Sequence, residues 1–388
     1  MNKVKFGIIG VGNMGSQHMG FFYEGKIKNG KVTAIADSNP EKIEAIRKKY
    51  PGNYVCYSSG EEMIDKADID AVIVAVPHYD HPSLTIRALE KGLNVICEKP
   101  AGVYTKQVRE MNCVAEKSKG LFTMMYNQRT NPLYKKMHDL MQSGEFGEIR
   151  RVNWIITNWF RTQFYYDSGS WRATWKGEGG GVLLNQCPHQ LDLLQWICGM
   201  PNKVRAFCHF GKWHNIETED DVTAYFEFPN GATGAFITTT GDAPGTNRFE
   251  ILCSRGKLVC EKDTLTVYRL NEDLQDFLLT VKDGFAYPQY TEEVIPQSGN
   301  NPQHVGIINN FANAVLGLEP LYVKGEEGLQ CVELMNSMLL SSWEDKTISL
   351  PIEDDYYYQE LAKRIVCSKE KTGKDLLIDN SMSYGGTK

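Results

Sequence analysis

An apolar run beginning at Val4 leads directly into Gly10-Val11-Gly12-Asn13-Met14-Gly15, and a second apolar run ends in Asp37, 22 residues past Gly15. Few folds accept that arrangement. Glycines at these loop positions let backbone amides approach a pyrophosphate, and the helix that follows directs its positive N-terminal end at the same point. The G-x-G-x-x-G pattern alone is weak. A strand before it, a helix after it and an acid at the end of the next strand make it a dinucleotide-binding βαβ unit. An acidic group at that place accepts from both ribose hydroxyls and repels a 2′-phosphate, so the expected cofactor is NAD rather than NADP. The expected cofactor contacts here are Gly10, Gly12, Asn13, Met14, Gly15, Asp37 and Ser38. A tight structural turn beside a solvated aspartate is the competing reading.

The strand–helix alternation continues, with strands expected at 5–10, 32–36, 71–76, Asn94–Cys97 and 121–125 and helices between them, for example at 40–50 and 81–91. This pattern predicts a Rossmann dinucleotide-binding domain over 1–126, a parallel sheet with helices on both faces. After residue 127 the rhythm changes. A helix at Pro132–Gln142 precedes β-rich runs at 149–159, Lys203–Phe210, 221–228 and 232–240, the last two joined by the turn signal Pro229-Asn230-Gly231. Residues 248–253 and 257–260 read as a further pair. An α+β domain with a large open, mainly antiparallel sheet is expected over 127–352. Residues 353–388 form a C-terminal extension whose last ten or so are expected to be mobile.

Composition narrows the function. The net charge of −6 comes with no basic stripe, which argues against a nucleic-acid partner. No apolar run approaches a membrane span. Ten scattered cysteines without a C-x-x-C pair suit reduced thiols in a cytoplasm and provide no zinc framework, so no metal is expected.

Two short strings carry the chemistry. Glu98-Lys99-Pro100 follows the apolar strand ending at Cys97, and Asn185-Gln186-Cys187-Pro188-His189 follows a run of three glycines. Asn185 and His189 are four residues apart, and one helix face is expected to present both. The loop Val76-Pro77-His78-Tyr79-Asp80-His81 lies at a strand's carboxyl end, where Pro77, His78 and His81 are expected to meet the nicotinamide ribose or pyrophosphate. For His81, which opens a helix, capping or packing is an equal alternative.

Taken in order, the glycine loop, Glu98-Lys99-Pro100 and the glycine-rich run before a His-x-x-Asp helix resemble the Gfo/Idh/MocA family, named for glucose–fructose oxidoreductase, inositol dehydrogenase and a rhizopine-catabolism protein. Residues 325–351 are similar to the family's closing helix and strand. The resemblance implies an NAD-dependent oxidoreductase acting on CH–OH groups, with Lys99 and Glu98 beside the nicotinamide and His189 as the catalytic histidine. It also implies a homo-oligomer, a dimer or larger, built through the open sheet. A neutral histidine can take the hydroxyl proton while hydride leaves the carbinol carbon, and an ammonium can stabilise the developing alkoxide. Many relatives carry Asp where this chain has Asn185, so Asn185 can hydrogen-bond a sugar hydroxyl but cannot balance an imidazolium. Asp192 is the carboxylate that could substitute, or else a residue that orients the helix.

The substrate wall is expected from the aromatic and basic stretch between the domains, above all Arg161, Trp171 and Arg172, together with Asn185 and His189. Phe160 and Tyr165 are expected to pack in a sheet face. Tyr126, Asn127 and Gln128, at the end of the last Rossmann strand, should also face the site, the glutamine toward the cofactor. His304 reads as a cap or packing group. The expected substrate is a carbohydrate or polyol small molecule. The string from Thr174 to His189 resembles a subgroup near enzymes that oxidise the 3-hydroxyl of O- or C-glucosides. The alternatives are an inositol or free-sugar dehydrogenase, a redox-assisted glycosidase that uses NAD transiently, and a non-catalytic NAD-binding protein.

Overall fold

The computed structural model describes residues 3–369, Lys371 and Leu376. Six parallel strands form the first sheet: β1 (Val4–Ile9), β2 (Gly30–Ala36), β3 (Val55–Tyr57), β4 (Ala71–Val74), β5 (Asn94–Cys97) and β6 (Phe122–Met124), in the order β3-β2-β1-β4-β5-β6. The helices that cover them are α1 (Asn13–Tyr23), α2 (Pro40–Lys49), α3 (Gly60–Lys66), α4 (His81–Glu90) and α5 (Thr105–Ala115). Every residue of β4 is buried, as expected for a central strand covered on both faces. Local chemistry starts the helices. The Asn39 side chain accepts from Glu41 N ahead of Pro40, and Ser59 accepts from Glu62 N. The strand order reverses between β1 and β4, so a crevice opens at their carboxyl ends.

After α6 (Pro132–Gln142) and β7 (Ile149–Ile156) the chain places three helices near that crevice: α7 (Gln163–Asp167), α8 (Val182–Asn185) and α9 (Pro188–Cys198). The second sheet continues with β8 (Lys203–Phe210), β9 (Glu219–Glu227), β10 (Thr233–Thr239), β11 (Asn247–Cys253), β12 (Gly256–Glu261), β13 (Thr264–Leu270), the helix α10 (Leu274–Thr280) and β14 (Tyr290–Pro296). Next come α11 (Gln303–Val315), α12 (Gly328–Glu344), the short β15 (Ile348–Ser349) and α13 (Asp354–Val366). The nine strands run β14-β13-β12-β11-β7-β10-β9-β8-β15, antiparallel except for β7 beside β10.

One face of this sheet is core. Val152, Trp154 and Ile156 alternate inward along β7, and Trp154 stacks on Phe249 with centroids 4.0 Å apart. The nearly wholly buried α12 packs against β8, α9 and α5, joining the two sheets. Residues after the large sheet return to the first: Asn309 Oδ1 accepts from Lys28 N, and Thr123 Oγ1 donates to Val323 O. The tyrosine cluster near the end is helix α13, where buried Tyr357 stacks on Trp343. The tail beyond Leu376, expected to be mobile, lies outside the described residues. Among the described residues no helix is long and apolar enough to cross a membrane, and all ten cysteines are free thiols.

Candidate active site

A cavity of about 580 Å³ fills the crevice. At one end its wall is Gly10, Gly12, Asn13 and Met14, with Asp37, Ser38 and Lys42 beside them. Gly10 has φ +83°, and a Cβ there would lie 2.4 Å from Ala75 O. A Cβ on Gly15 would lie 1.8 Å from Gly10 O, so α1 could not sit against the loop. On Gly12 a Cβ would meet nothing within 4 Å, because that side opens on the cavity. Gly12 caps α1 without a side-chain hydrogen bond, and the N-terminal end of that helix lies at the cavity wall. Asp37 is fixed by the loop it faces, Oδ2 accepting from Val11 N and Oδ1 from Asn39 N, both at 2.9 Å. Open space at Gly12, a helix N-terminus and a fixed carboxylate together fit a dinucleotide.

The middle of the wall is Pro77, His78, His81, Glu98, Lys99, Asn185 and His189. Burial works against the Glu98 carboxylate, but the His18 hydrogen bond (Nε2 to Oε1, 2.7 Å) and the charges of His18, His304 and Lys99 outweigh it and hold its pKa at about 2. Burial pushes Lys99 down from the usual lysine range, opposed by the charges of Glu98 and Glu178. Its Nζ donates to Asn185 O at 2.8 Å. His189 is buried, and neither ring nitrogen has a hydrogen-bond partner among the described residues. Burial first, then the charge of Lys99, pushes its pKa well below the ordinary value, so the imidazole is neutral and a lone pair is available.

The single helix expected to carry Asn185 and His189 is two. α8 ends at Asn185 and α9 begins at Pro188, with Gln186 and Cys187 between them. Proline has no N–H to continue the ladder, and the interruption turns the Asn185 carbonyl to Lys99. Both side chains still line the cavity, from two helices rather than one face.

Arg161, Trp171 and Arg172 line the far end, as the sequence predicts. Tyr165, expected in a packed face, is on the cavity wall instead. Its ring lies between the guanidinium carbons of Arg161 (5.2 Å) and Arg172 (4.7 Å), and its hydroxyl accepts from Gln186 Nε2. Phe160 is about half exposed rather than packed. Tyr126, Asn127 and Gln128 are not on the cavity wall. Tyr126 faces the Arg129 guanidinium, and both Asn127 and Gln128 donate to Gln303 Oε1 from behind the strand ends. The His81 ring is held between Pro100 O (2.7 Å) and Val76 O (2.8 Å), pinning two strand ends together, although its edge reaches the cavity. His304 packs its ring on His18 and Phe21. Asp192 turns away and pairs with Arg129.

Two acids here escaped the sequence reading. Buried Glu219 on β9 accepts from Gly181 N and Leu183 N, and a Cβ on Gly181 would lie 2.0 Å from Glu219 O. Burial pushes its pKa up to about 7. The glycine run therefore lets α8 dock on β9. Buried Glu178 accepts from the Asn185 amide and from Ala173 N. The adjacent glycines were the only signal for either.

Comparison with known proteins agrees with this arrangement. Residues 4–126 match the oxidoreductase family with an NAD-binding Rossmann fold, and residues 134–259 match the GFO/IDH/MocA C-terminal domain. The chain is 28% identical over 200 residues to the rhizopine catabolism protein MocA of Rhizobium meliloti, covering 51% of this chain and 58% of that one. It is 25% identical over 299 residues to levoglucosan dehydrogenase of Pseudarthrobacter phenanthrenivorans, covering 67% and 74%. The matched stretch thus spans about three fifths of the rhizobial protein's length. The WlbA dehydrogenase of Bordetella pertussis, solved with NADH and UDP-GlcNAcA, superposes with a TM-score of 0.77 at 24% identity, over 91% of this chain and 99% of that one.

Proposed function

Because this chain belongs to the Gfo/Idh/MocA family of oxidoreductases, we propose that it transfers hydride between a secondary hydroxyl of a sugar, glycoside or cyclic polyol and NAD, most specifically from the 3-hydroxyl of an O- or C-glucoside. The observation that carries this reading is the cavity itself, in which the glycine loop, the Lys99 ammonium and the ring of His189, without a hydrogen-bond partner among the described residues, share one wall. Bound NAD supplies the hydride acceptor. His189 takes the hydroxyl proton as the carbinol carbon loses hydride and its C–O bond becomes a carbonyl. Lys99, fixed by Asn185 O, donates to the oxygen as charge develops. Tyr165 and Trp171 offer flat apolar faces to a sugar's C–H side, and Arg161 and Arg172 offer donors to its oxygens. Relatives named as dehydrogenases of levoglucosan and of trans-1,2-dihydrobenzene-1,2-diol support a ring CH–OH substrate. The outer face of the large sheet exposes Ile155, Phe207 and Tyr225, which suits a second copy of the chain.

The test is NADH formation by the purified protein with NAD and a panel of inositols, free hexoses and O- and C-glucosides, with products analysed by mass. A glycoside lighter by two hydrogens with stoichiometric NADH is expected. Aglycone release without net NADH would replace the dehydrogenase by a redox-assisted glycosidase, and silence across the panel would overturn the proposal.

The cofactor end carries its own prediction. Asp37→Ala removes a charged acceptor for ribose hydroxyls, so NAD should bind roughly tenfold to a hundredfold more weakly. NADP should be hurt much less, since repulsion of its 2′-phosphate goes too. Dissociation constants from protein-fluorescence titration measure both. An unchanged preference between the two would remove Asp37 from the ribose.

A further inference from the structure

Glu178 is 2% exposed and lies behind Asn185 rather than on the cavity wall. Its Oε1 accepts from Asn185 Nδ2 and its Oε2 from Ala173 N. The loop is shaped to make the second contact: Ala173 takes φ +49°, and the N–H groups of Glu178 and Gly179 both close onto Thr174 O. Such a φ is costly for a residue with a Cβ. Burial raises the Glu178 pKa above its ordinary value, and the Arg172 charge, the donors to both oxygens and the Lys99 charge oppose that shift in favour of the carboxylate. One Nδ2 hydrogen donated to Glu178 fixes which way the Asn185 amide faces, and its Oδ1 is left as an acceptor. The backbone carbonyl of the same residue receives Lys99 Nζ at 2.8 Å. One buried negative charge therefore orients the amide and steadies the ammonium.

We propose that Glu178 is a positioning residue. Through Asn185 it presents an amide oxygen to a second substrate hydroxyl, one next to the carbinol that reacts, and it holds Lys99 as a charged donor at the reacting oxygen. The proposal rests on the roles given above to Lys99 and Asn185. It selects substrates with two neighbouring hydroxyls, one donating to Asn185 Oδ1 and the other to His189.

Exchanging the acid and the amide across their hydrogen bond tests this. In E178Q the new amide must face either Ala173 N–H or the Asn185 amide with a donor. In N185D two carboxylates confront one another. In E178Q/N185D the introduced amide accepts from Ala173 N and donates to the introduced carboxylate, so every bond and the net charge are restored. Each single variant is expected to lose kcat about tenfold to a hundredfold, and the double to recover at least about tenfold over the product of the two losses. NAD affinity should stay within a few fold throughout. Should E178Q fail to fold, N185D against the double reports the same exchange.

A second readout needs no turnover. In protein labelled with 13C at the lysine ε-carbons, the Lys99 resonance is identified by its loss in Lys99→Arg and its titration is followed by NMR. Glu98, Arg172, Cys331, Cys187, His78, His81, His189 and His304 also face Lys99 and are unchanged across the series. Lys99 should titrate at lower pH in E178Q and return toward wild type in the double. An identical Lys99 titration in wild type and E178Q, or a double no better than the product of the singles, overturns the proposal. If wild type oxidises nothing in the panel, the dehydrogenase reading fails while the titration still decides the role of Glu178.

Discussion

Replacing Lys99 with methionine is expected to lower kcat by ~10²–10³-fold, and His189→Ala by ~10²–10⁴-fold, while NAD binding stays within a few fold of wild type. The two residues reach the cavity from different parts of the chain, Lys99 just beyond β5 and His189 at the start of α9. Neither belongs to the glycine loop or Asp37, where the adenosine and pyrophosphate ends of the cofactor are expected, so cofactor affinity should survive. The loss should fall mainly on kcat, because the ammonium meets its full opposite charge only as the alkoxide forms. His189 has no other hydrogen bond among the described residues to lose, so its truncation reports proton transfer and not a broken scaffold. Steady-state kinetics on the best substrate of the panel, beside NAD titrations of each variant, provide both numbers. Near-wild-type turnover in His189→Ala would pass the base role to Lys99, whose pKa burial also lowers.

The largest effect on stability is expected at Arg129 and Asp192. Their side chains are 2% and 1% exposed and joined twice, Nε to Oδ2 at 2.8 Å and Nη2 to Oδ1 at 2.6 Å, with Glu327 on the remaining arm of the guanidinium. Arg129 also lies over the Trp196 ring at 5.0 Å. Arg129→Met leaves the buried Asp192 carboxylate without its cation, and Asp192→Leu leaves the buried guanidinium only Glu327, so each should cost about 3–5 kcal/mol. The double Arg129→Met/Asp192→Leu should be less destabilised than the sum of the two, because no charge is then left buried alone. Urea unfolding measures all three. Strict additivity would show that the pair is not coupled. The pair also has a functional consequence. Asp192 is one turn beyond His189 on α9, and Arg129 follows β6, so this bridge sets where the histidine meets the first sheet. Arg129→Met is therefore expected to reduce turnover even in protein that remains folded.

Much of the frame was legible in the chain. Short apolar runs alternating with helices, and glycines at fixed offsets, are local patterns, and local patterns suffice for a βαβ unit. The hairpin at Pro229-Asn230-Gly231 is equally local, and β9 and β10 pair across it. The strands β13 and β14 were less legible. β12, which pairs with β13, turns into it at Lys262-Asp263, two residues at φ +50° and +54°. That tight turn is ordinarily marked by Asn-Gly or Asp-Gly, and nothing in Lys-Asp announces it. The break between α8 and α9 was readable from Pro188, yet the four-residue spacing of Asn185 and His189 argued for continuity.

By itself the sequence determined the Rossmann unit, and it singled out Asp37, Lys99 and His189 for the roles proposed above, since each rests on residue type and short spacing. Tertiary structure alone decided their partners. Asp192 was drawn to Arg129, Glu178 was placed behind Asn185, and Tyr165 was brought from an expected core to the cavity wall. Those outcomes depend on which groups lose water together when the two sheets close on α12. Desolvation of a charge is a property of everything packed around it, and no window along the chain contains that.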